Sequence, residues 1–170
     1  NSQTFRHSHF MAMKAKDAIV DRIRDKVGER PNVDTSDPDV PIHIYIHREL
    51  VTISLDSSGD SLHKRGYRQI SGQAPLNEVL AAGIVELSKW DTTTPFYDGM
   101  CGSGTLAIEA TIKGLNMPPG IFRKQGYAFE KWIDFDADLY EKIVESSLER
   151  ISDIKLEIHA SDTSSNVISK

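Results

Sequence analysis

Apolar and polar residues follow two different periods in the first third of the chain, and these predict a helix followed by a hairpin. Apolar residues recur every four positions between residues 11 and 27, as on one face of a helix, and Gly28 is well placed to end it. After a loop rich in Pro, Asp and Asn, apolar residues alternate with polar ones over 42–46 and again over 51–55. Two such runs joined by a short polar turn predict a β-hairpin with one buried face.

The remainder of the chain has the element order of an α/β sheet. A short apolar strand over 95–98 runs into a glycine-containing turn, and the residues after Gly104 favour a helix. Residues 113–132 are predicted to be irregular and 139–151 to form an amphipathic helix, and the alternation from Ile154 predicts a strand that ends at Asp162. Strand, helix, helix and strand in this order predict the start of a sheet with crossover connections.

A further helix is predicted before the first of these strands. Pro75 stands where a first helical residue is expected, and the apolar periodicity continues to Trp90. The apolar residues predicted to share one face of this helix are Leu76, Val79, Leu80, Ile84 and Leu87.

Composition and charge narrow the classes of protein. With 170 residues, 39% hydrophobic and 26% charged, the chain is typical of a soluble globular protein. Its apolar runs are shorter than the roughly 20 residues that a membrane-spanning helix needs. The formal charge of −5 argues against coating of nucleic acid through charge alone, although a local basic patch remains compatible with it. The single cysteine, Cys101, excludes an intrachain disulfide and predicts a reducing, cytoplasmic location.

The densest positive cluster lies between the hairpin and the predicted sheet. It contains His63, Lys64, Arg65 and Arg68, with Tyr67 among them. Such a cluster is commonly a solvated linker, but it is also a pattern that contacts phosphates. The histidines do not share metal-ligand spacing with Cys101, so no metal site is expected.

The glycine-containing turn is the most informative segment. It joins a strand to a helix, where glycines let the backbone approach a ligand and the helix start offers free N–H groups. The turn lacks the Gly-Lys-Ser/Thr ending of a phosphate-binding loop and the G-x-G-x-x-G spacing of a dinucleotide fingerprint, which makes a nucleotide-dependent oxidoreductase a distant alternative. Its sequence is Asp98-Gly99-Met100-Cys101-Gly102-Ser103-Gly104-Thr105.

This turn resembles the first cofactor-binding motif of methyltransferases that act on amino groups of nucleic acid bases. Gly99 stands where those enzymes usually have proline. The resemblance implies S-adenosylmethionine as the cofactor, with its methionine part above the turn. The residues implied to shape or line the pocket are Asp98, Cys101, Gly102, Ser103, Gly104 and Thr105. From the residues alone, Cys101 and Thr105 could equally serve only to pack the turn.

Asp162 is a second candidate, because an acid after the second strand commonly hydrogen-bonds the ribose hydroxyls of an adenosine-type cofactor. In a standard nucleotide-binding unit that acid follows the glycines by about 20 residues. Asp162 follows Gly104 by 58 residues, so the spacing fits only if the irregular stretch 113–132 is a family feature.

Further motifs in the same order resemble THUMP-containing RNA guanine-N2 methyltransferases, especially the bacterial enzymes that modify large-subunit ribosomal RNA. The motifs include Pro75-Leu76-Asn77-Glu78, residues 116–120 and 127–132, and upstream the junction Leu62–Arg68. The resemblance implies the C-terminal part of an α+β THUMP domain over 1–66. It implies the start of a Rossmann-like class I methyltransferase sheet over 67–170. It also implies that Lys64, Arg65 and Arg68 contact RNA phosphates.

The resemblance predicts that the chain is a fragment. The loop that orients the acceptor amine in such enzymes (Asn/Asp-Pro-Pro-Tyr/Phe) does not occur in the sequence, and we expect it to lie beyond residue 170. The catalytic residues are therefore unknown, and the fragment alone is predicted to be inactive. Two alternatives stay open: an N6-adenine or N4-cytosine DNA methyltransferase, and a non-catalytic RNA-binding module on a methyltransferase-like scaffold.

Overall fold

The structure, a computed structural model, describes residues 7–68 and 75–165. The described residues fold into two compact units, one formed by those up to Gly59 together with 127–135, and the other by the remaining described residues from Asp60 onward. In the described ranges, no helix is both long enough and apolar enough to cross a membrane. The same ranges contain no cluster of His, Cys, Asp and Glu side chains suited to a metal ion.

The first unit contains the predicted helix and hairpin. Helix α1 (Ser8–Val27) begins where the His7 ring accepts a hydrogen bond from the Phe10 amide. It ends at Gly28, whose φ of 84° lets its amide reach the Arg24 carbonyl, as the sequence predicted. Strands β1 (Ile42–His47) and β2 (Leu50–Leu55) pair antiparallel around a turn at Arg48.

The hairpin is less buried than its alternation predicted. Ile44 and Ile46 are half-buried, but Val51, Ile53 and Leu55 of β2 are exposed. The prediction of one buried face was therefore wrong for β2. Helix α1 and the loop that follows it line a cleft of about 570 Å³ with β1, and among the described residues none of β2 lines it. The packing of α1 therefore covers β1 and not β2.

A short 3-10 helix (Ala128–Lys131) completes the first unit. The amide of Phe129 donates to the Ser57 carbonyl over 3.2 Å, which ties this helix to the end of the hairpin. Lys131 forms an exposed ion pair with Asp37 at 2.6 Å. Residues 127–135 thus belong with the first unit although they interrupt the sequence of the second.

The second unit is an α/β fold around a short parallel sheet. Its elements are α2 (Glu78–Leu87), β3 (Phe96–Asp98), α3 (Thr105–Gly114), α4 (Ala137–Glu149) and β4 (Ile158–Ala160). Strands β3 and β4 pair in parallel, with Asp98 opposite Ala160. Helix α3 packs against α2 and against both strands. The fold predicted for this part of the chain, a helix followed by the start of an α/β sheet, is confirmed.

Helix α2 differs in detail from the prediction. Asn77, not Pro75, precedes the first turn, and its side chain accepts a hydrogen bond from the Leu80 amide over 3.1 Å. The face that packs inward is formed by Glu78, Ala81 and Val85. The predicted face was wrong, because counting only large apolar residues overlooked a small alanine and a carboxylate with a buried partner. On the face that the sequence predicted to be apolar and shared, Val79, Leu80, Ile84 and Leu87 are exposed.

Gly66 fixes the path of the junction segment in the second unit. Its φ is +94°, a region that favours glycine, and a Cβ there would lie 1.9 Å from the carbonyl oxygen of Phe122. Because backbone atoms cannot give way as a flexible side chain can, only glycine fits between Arg65 and Tyr67.

We expect Gly66→Ala to lower the free energy of unfolding by roughly 2 kcal/mol or more, through backbone strain and this clash. Urea unfolding followed by circular dichroism measures it. The matched control is Gly83→Ala in α2, where a Cβ meets nothing within 4 Å. It should raise stability by about 0.5–1 kcal/mol, because alanine has the better helix propensity. Equal effects of the two substitutions would contradict this interpretation.

Candidate functional site

The glycine turn lies at the carboxyl ends of the two parallel strands. Strand β3 ends at Asp98, and hydrogen bonds continue the strand pairing into the turn: Ser161 N–H donates to the Asp98 carbonyl and Cys101 N–H to the Ser161 carbonyl, each over 2.9 Å. The Gly104 amide closes the turn on the Cys101 carbonyl at 2.8 Å. The carboxyl edge of a parallel sheet is where open α/β folds bind their ligands.

Two glycines give the turn its shape. Gly102 has a φ of 55° and Gly104 a φ of 80°, and a Cβ at either position would meet nothing within 4 Å. Their backbone is therefore both left-handed and uncovered. No side chain caps the start of α3, which follows directly at Thr105. A half-buried turn with open space above its glycines, leading into an uncapped helix, offers backbone N–H groups to a ligand.

Asp162 is joined directly to the glycine turn. One carboxylate oxygen accepts a hydrogen bond from the Gly102 amide over 2.9 Å, and the other accepts one from the Ser164 amide over 2.9 Å. These bonds, that from Ser164 first, lower the pKa of Asp162, so it carries a negative charge at neutral pH. Although Asp162 lies 58 residues after Gly104, the chain returns through β4, which pairs with β3 and brings Asp162 beside the turn.

Only one of the two carboxylate oxygens of Asp98 accepts a hydrogen bond from the residues that the structure describes. Its Oδ1 accepts a hydrogen bond from the Met100 amide at 3.3 Å. Its Oδ2 is buried and has no hydrogen-bond partner among the residues that the structure describes. A buried acceptor without a donor is costly unless a ligand supplies one. The oxygen therefore fits a donor group of a bound molecule, such as an ammonium.

Cys101 lies close enough to both acids for their charges to act on its thiol. Burial first, and then the charges of Asp98 and Asp162, raise the pKa of its thiol. A thiol that stays neutral is a weak nucleophile, which favours a lining or packing role over covalent chemistry. Two further predicted pocket residues follow Cys101: Ser103 is half-buried in the turn, and Thr105 is buried at the start of α3.

The basic side chains of the junction, Lys64–Arg68, form ion pairs with acidic residues of the second unit. Arg65 forms an ion pair with Glu109 at 3.3 Å, and the Tyr67 hydroxyl donates to the same carboxylate at 3.0 Å. Arg68 pairs with Glu78 at 3.0 Å. The side chains of Arg65 and Arg68 are only 13% and 16% exposed.

Lys64 differs from the two arginines. Its side chain is 55% exposed, and its ion pair with Asp60 lies at the surface. The role of Lys64, Arg65 and Arg68 in RNA binding stays a prediction, and the structure shows that both arginines also have acidic partners. The sequence analysis did not predict Glu78 and Glu109 as the acidic partners of these arginines.

Two family models together match most of the sequence. Residues 65–170 match the model described as RMKL-like, methyltransferase domain. Residues 1–56 match that of the THUMP domain.

The chain belongs to the RMKL-like methyltransferase domain family.

Individual relatives agree with this assignment. A Synechocystis sp. protein, slr0064, named as a candidate RNA methyltransferase, is 45% identical over 141 residues, which cover 83% of this chain and 36% of that protein. Two solved structures each match 91% of this chain, and the matched part is 40% of the length of each of those proteins. One is a candidate methylase from Clostridium difficile 630, with a TM-score of 0.79 and 36% identity. The other is SMU.472, a candidate methyltransferase in complex with SAH, with a TM-score of 0.77 and 35% identity.

A third solved structure carries a different specificity in its description. It is a predicted N6-adenine-specific DNA methylase from Listeria monocytogenes, with a TM-score of 0.79 and 33% identity. The match covers 91% of this chain and 40% of the Listeria protein. The chain thus spans well under half the length of these relatives. They confirm the methyltransferase-type fold and leave the acceptor of the methyl group open.

We expect Glu109→Gln to destabilise the second unit by roughly 3 kcal/mol, because it leaves the largely buried Arg65 without its anion. Urea unfolding measures the change. Glu86→Gln is the matched control, since Glu86 is 76% exposed where it pairs with Lys113. An exposed pair of this kind contributes less than about 1 kcal/mol. A loss for Glu109→Gln as small as that for the control would show that the buried pair contributes little.

We expect Asp98→Asn to speed alkylation of Cys101 by iodoacetamide at pH 8. Removing a negative charge lowers the raised pKa of the thiol and so increases the thiolate fraction at fixed pH. The chain has one cysteine, so the rate can be followed by mass spectrometry. Asp138→Asn, on α4, should leave the rate unchanged. Alkylation of Asp98→Asn at the wild-type rate would contradict the predicted influence of Asp98.

Proposed function

We propose that this chain is the cofactor-binding part of an S-adenosylmethionine-dependent RNA methyltransferase. The observation that carries the proposal is the arrangement of Asp98, Asp162 and the glycine turn at the ends of two paired parallel strands. Membership of the RMKL-like methyltransferase family and similarity to a structure solved with SAH support it.

The residues of the turn fit the parts of this cofactor. The partnerless oxygen of Asp98 suits the ammonium of the methionine part, and the open backbone at Gly102 and Gly104 leaves room above the turn. Asp162, ionised and held by two backbone amides, suits the ribose hydroxyls. When bound, S-adenosylmethionine supplies a methyl group on a positively charged sulfur. Cys101, Ser103 and Thr105 would line the turn, with the Cys101 thiol neutral.

We propose RNA as the substrate and a cytoplasmic location for the protein. The THUMP match over residues 1–56 and the RNA methyltransferase name of the Synechocystis relative support RNA. The order of motifs across residues 75–132 supports the N2 amine of guanine, in ribosomal RNA, as the acceptor. Among the predicted RNA contacts, Lys64 has the most exposed side chain and can exchange its surface partner Asp60 for a phosphate.

A second candidate function is methylation of the N6 amine of adenine in DNA. The description of the Listeria structure favours it, and the glycine turn alone does not separate the two acceptors. Transfer of a labelled methyl group to RNA, but not to duplex DNA of the same sequence, supports the RNA function. Release of N2-methylguanosine on digestion supports the guanine acceptor, whereas N6-methyladenine from duplex DNA would establish the second candidate.

Calorimetric titration of S-adenosylmethionine and S-adenosylhomocysteine into the whole protein tests the cofactor site. We expect Asp98→Ala and Asp162→Ala each to weaken binding at least about 10-fold, since each removes a charged hydrogen-bonding group. Asp138→Ala serves as the control and should bind like the wild type. Absence of binding to a well-folded wild-type protein would overturn the enzyme function and favour an RNA-binding module on this scaffold.

A further inference from the structure

One guanidinium joins the starts of two helices. Arg68 Nη1 pairs with Glu78, the first residue of α2, at 3.0 Å. Arg68 Nη2 donates to the carbonyl of Leu76 at 3.2 Å and to the hydroxyl of Thr105 at 2.8 Å. Three bonds of different direction suit the planar, fixed fork of an arginine, and a lysine could not reproduce them.

The cation stands where helix dipoles disfavour it. The first turns of α2 and α3 carry partial positive charge, so a guanidinium beside both is unfavourable by itself. Glu78 offsets this charge, and its side chain is only 6% exposed. The contact is therefore a specific, mostly buried arrangement in which Arg68 and Glu78 depend on each other.

Thr105 connects this arrangement to the glycine turn. It is 3% exposed, it is the first residue of α3, and it follows Gly104, whose backbone is left-handed. The next turn of the same helix carries Glu109, which Arg65 and the Tyr67 hydroxyl hold in the same way. The junction segment thus bonds to two successive turns of α3. The first of these turns adjoins the candidate cofactor site.

We propose that Arg68 is a positioning residue for the glycine turn, and that its contact with Thr105 sets the affinity for the cofactor. The inference rests on the proposed function, since it assigns to Arg68 a role in the same site. A turn that is already fixed loses less conformational freedom when a ligand binds. When Thr105 is no longer held by Arg68, the cofactor itself must order the turn, and this costs binding free energy. Binding to Arg68→Lys therefore weakens although the residues that face the cofactor are unchanged.

The experiment compares Arg68→Lys with Arg150→Lys in the whole protein. Arg150 is a matched control, because its guanidinium bonds to Ser146 and Ser147 at the exposed end of α4 and to no other residue that the structure describes. We expect Arg68→Lys to weaken S-adenosylhomocysteine binding by calorimetry about 10-fold and Arg150→Lys to leave it unchanged. In the methylation assay, KM for S-adenosylmethionine should rise more than kcat falls, which general loss of folded protein would not produce.

A second pair of variants removes the hydrogen-bond acceptor itself. Thr105→Val deletes the hydroxyl and Thr105→Ser retains it, so only the first should weaken cofactor binding. Because the two groups act through one contact, Arg68→Lys combined with Thr105→Val should be no weaker than the poorer single variant. This pair also answers the question if Arg68→Lys does not fold.

Three results would overturn the inference in distinguishable ways. Wild-type affinity in folded Arg68→Lys and Thr105→Val refutes the positioning role. If those affinities are unchanged while Arg68→Gln weakens RNA binding and reduces its salt dependence, Arg68 is an RNA contact instead. If the wild-type protein binds neither S-adenosylmethionine nor S-adenosylhomocysteine, the proposed function fails, and the positioning role fails with it.

Discussion

The parallel pairing of β3 with β4 is the constraint on which the candidate site depends. The two strands are far apart along the chain, and their pairing alone sets Asp98 and Asp162 at neighbouring strand ends. The hydrogen bonds of Ser161 and Cys101 extend that pairing into the turn. The Gly102 amide then bonds to the Asp162 carboxylate, so the turn and the second acid hold each other in place. A substitution that opened the strand pairing would separate the Asp162 carboxylate from the glycines.

A second set of contacts holds the helix that follows the turn. Helix α3 carries Thr105 and Glu109 one turn apart, and both are buried. Arg68 bonds to the first and Arg65 to the second, so the same helix is fixed by the sheet and by the junction segment. Buried charges of this kind add little net stability compared with apolar packing, but they tolerate few alternative arrangements. They therefore suit a segment whose geometry matters more than its stability.

Local patterns predicted the elements well and the long-range contacts poorly. The helix ending at Gly28, the hairpin and the strand before the glycine turn follow from periodicity and from residues with special backbone geometry. The inward face of α2 did not, because Glu78 is buried only through Arg68, a partner that periodicity cannot reveal. Likewise the basic junction resembled a solvated or RNA-binding cluster, since Glu109 lies 44 residues from Arg65. Asp162 was predicted from its place after the second strand, and its long spacing from Gly104 became acceptable only through the family resemblance.

The backbone amide NMR spectrum of the whole protein, recorded with and without S-adenosylhomocysteine, tests the central claim most directly. The account predicts shift changes concentrated at Gly102, Gly104, Thr105 and Asp162, with the hairpin residues of the first unit, such as His47, unaffected. Saturable changes confined to the cleft between α1 and β1, or an unchanged spectrum at the glycine turn while calorimetry records binding, would contradict it.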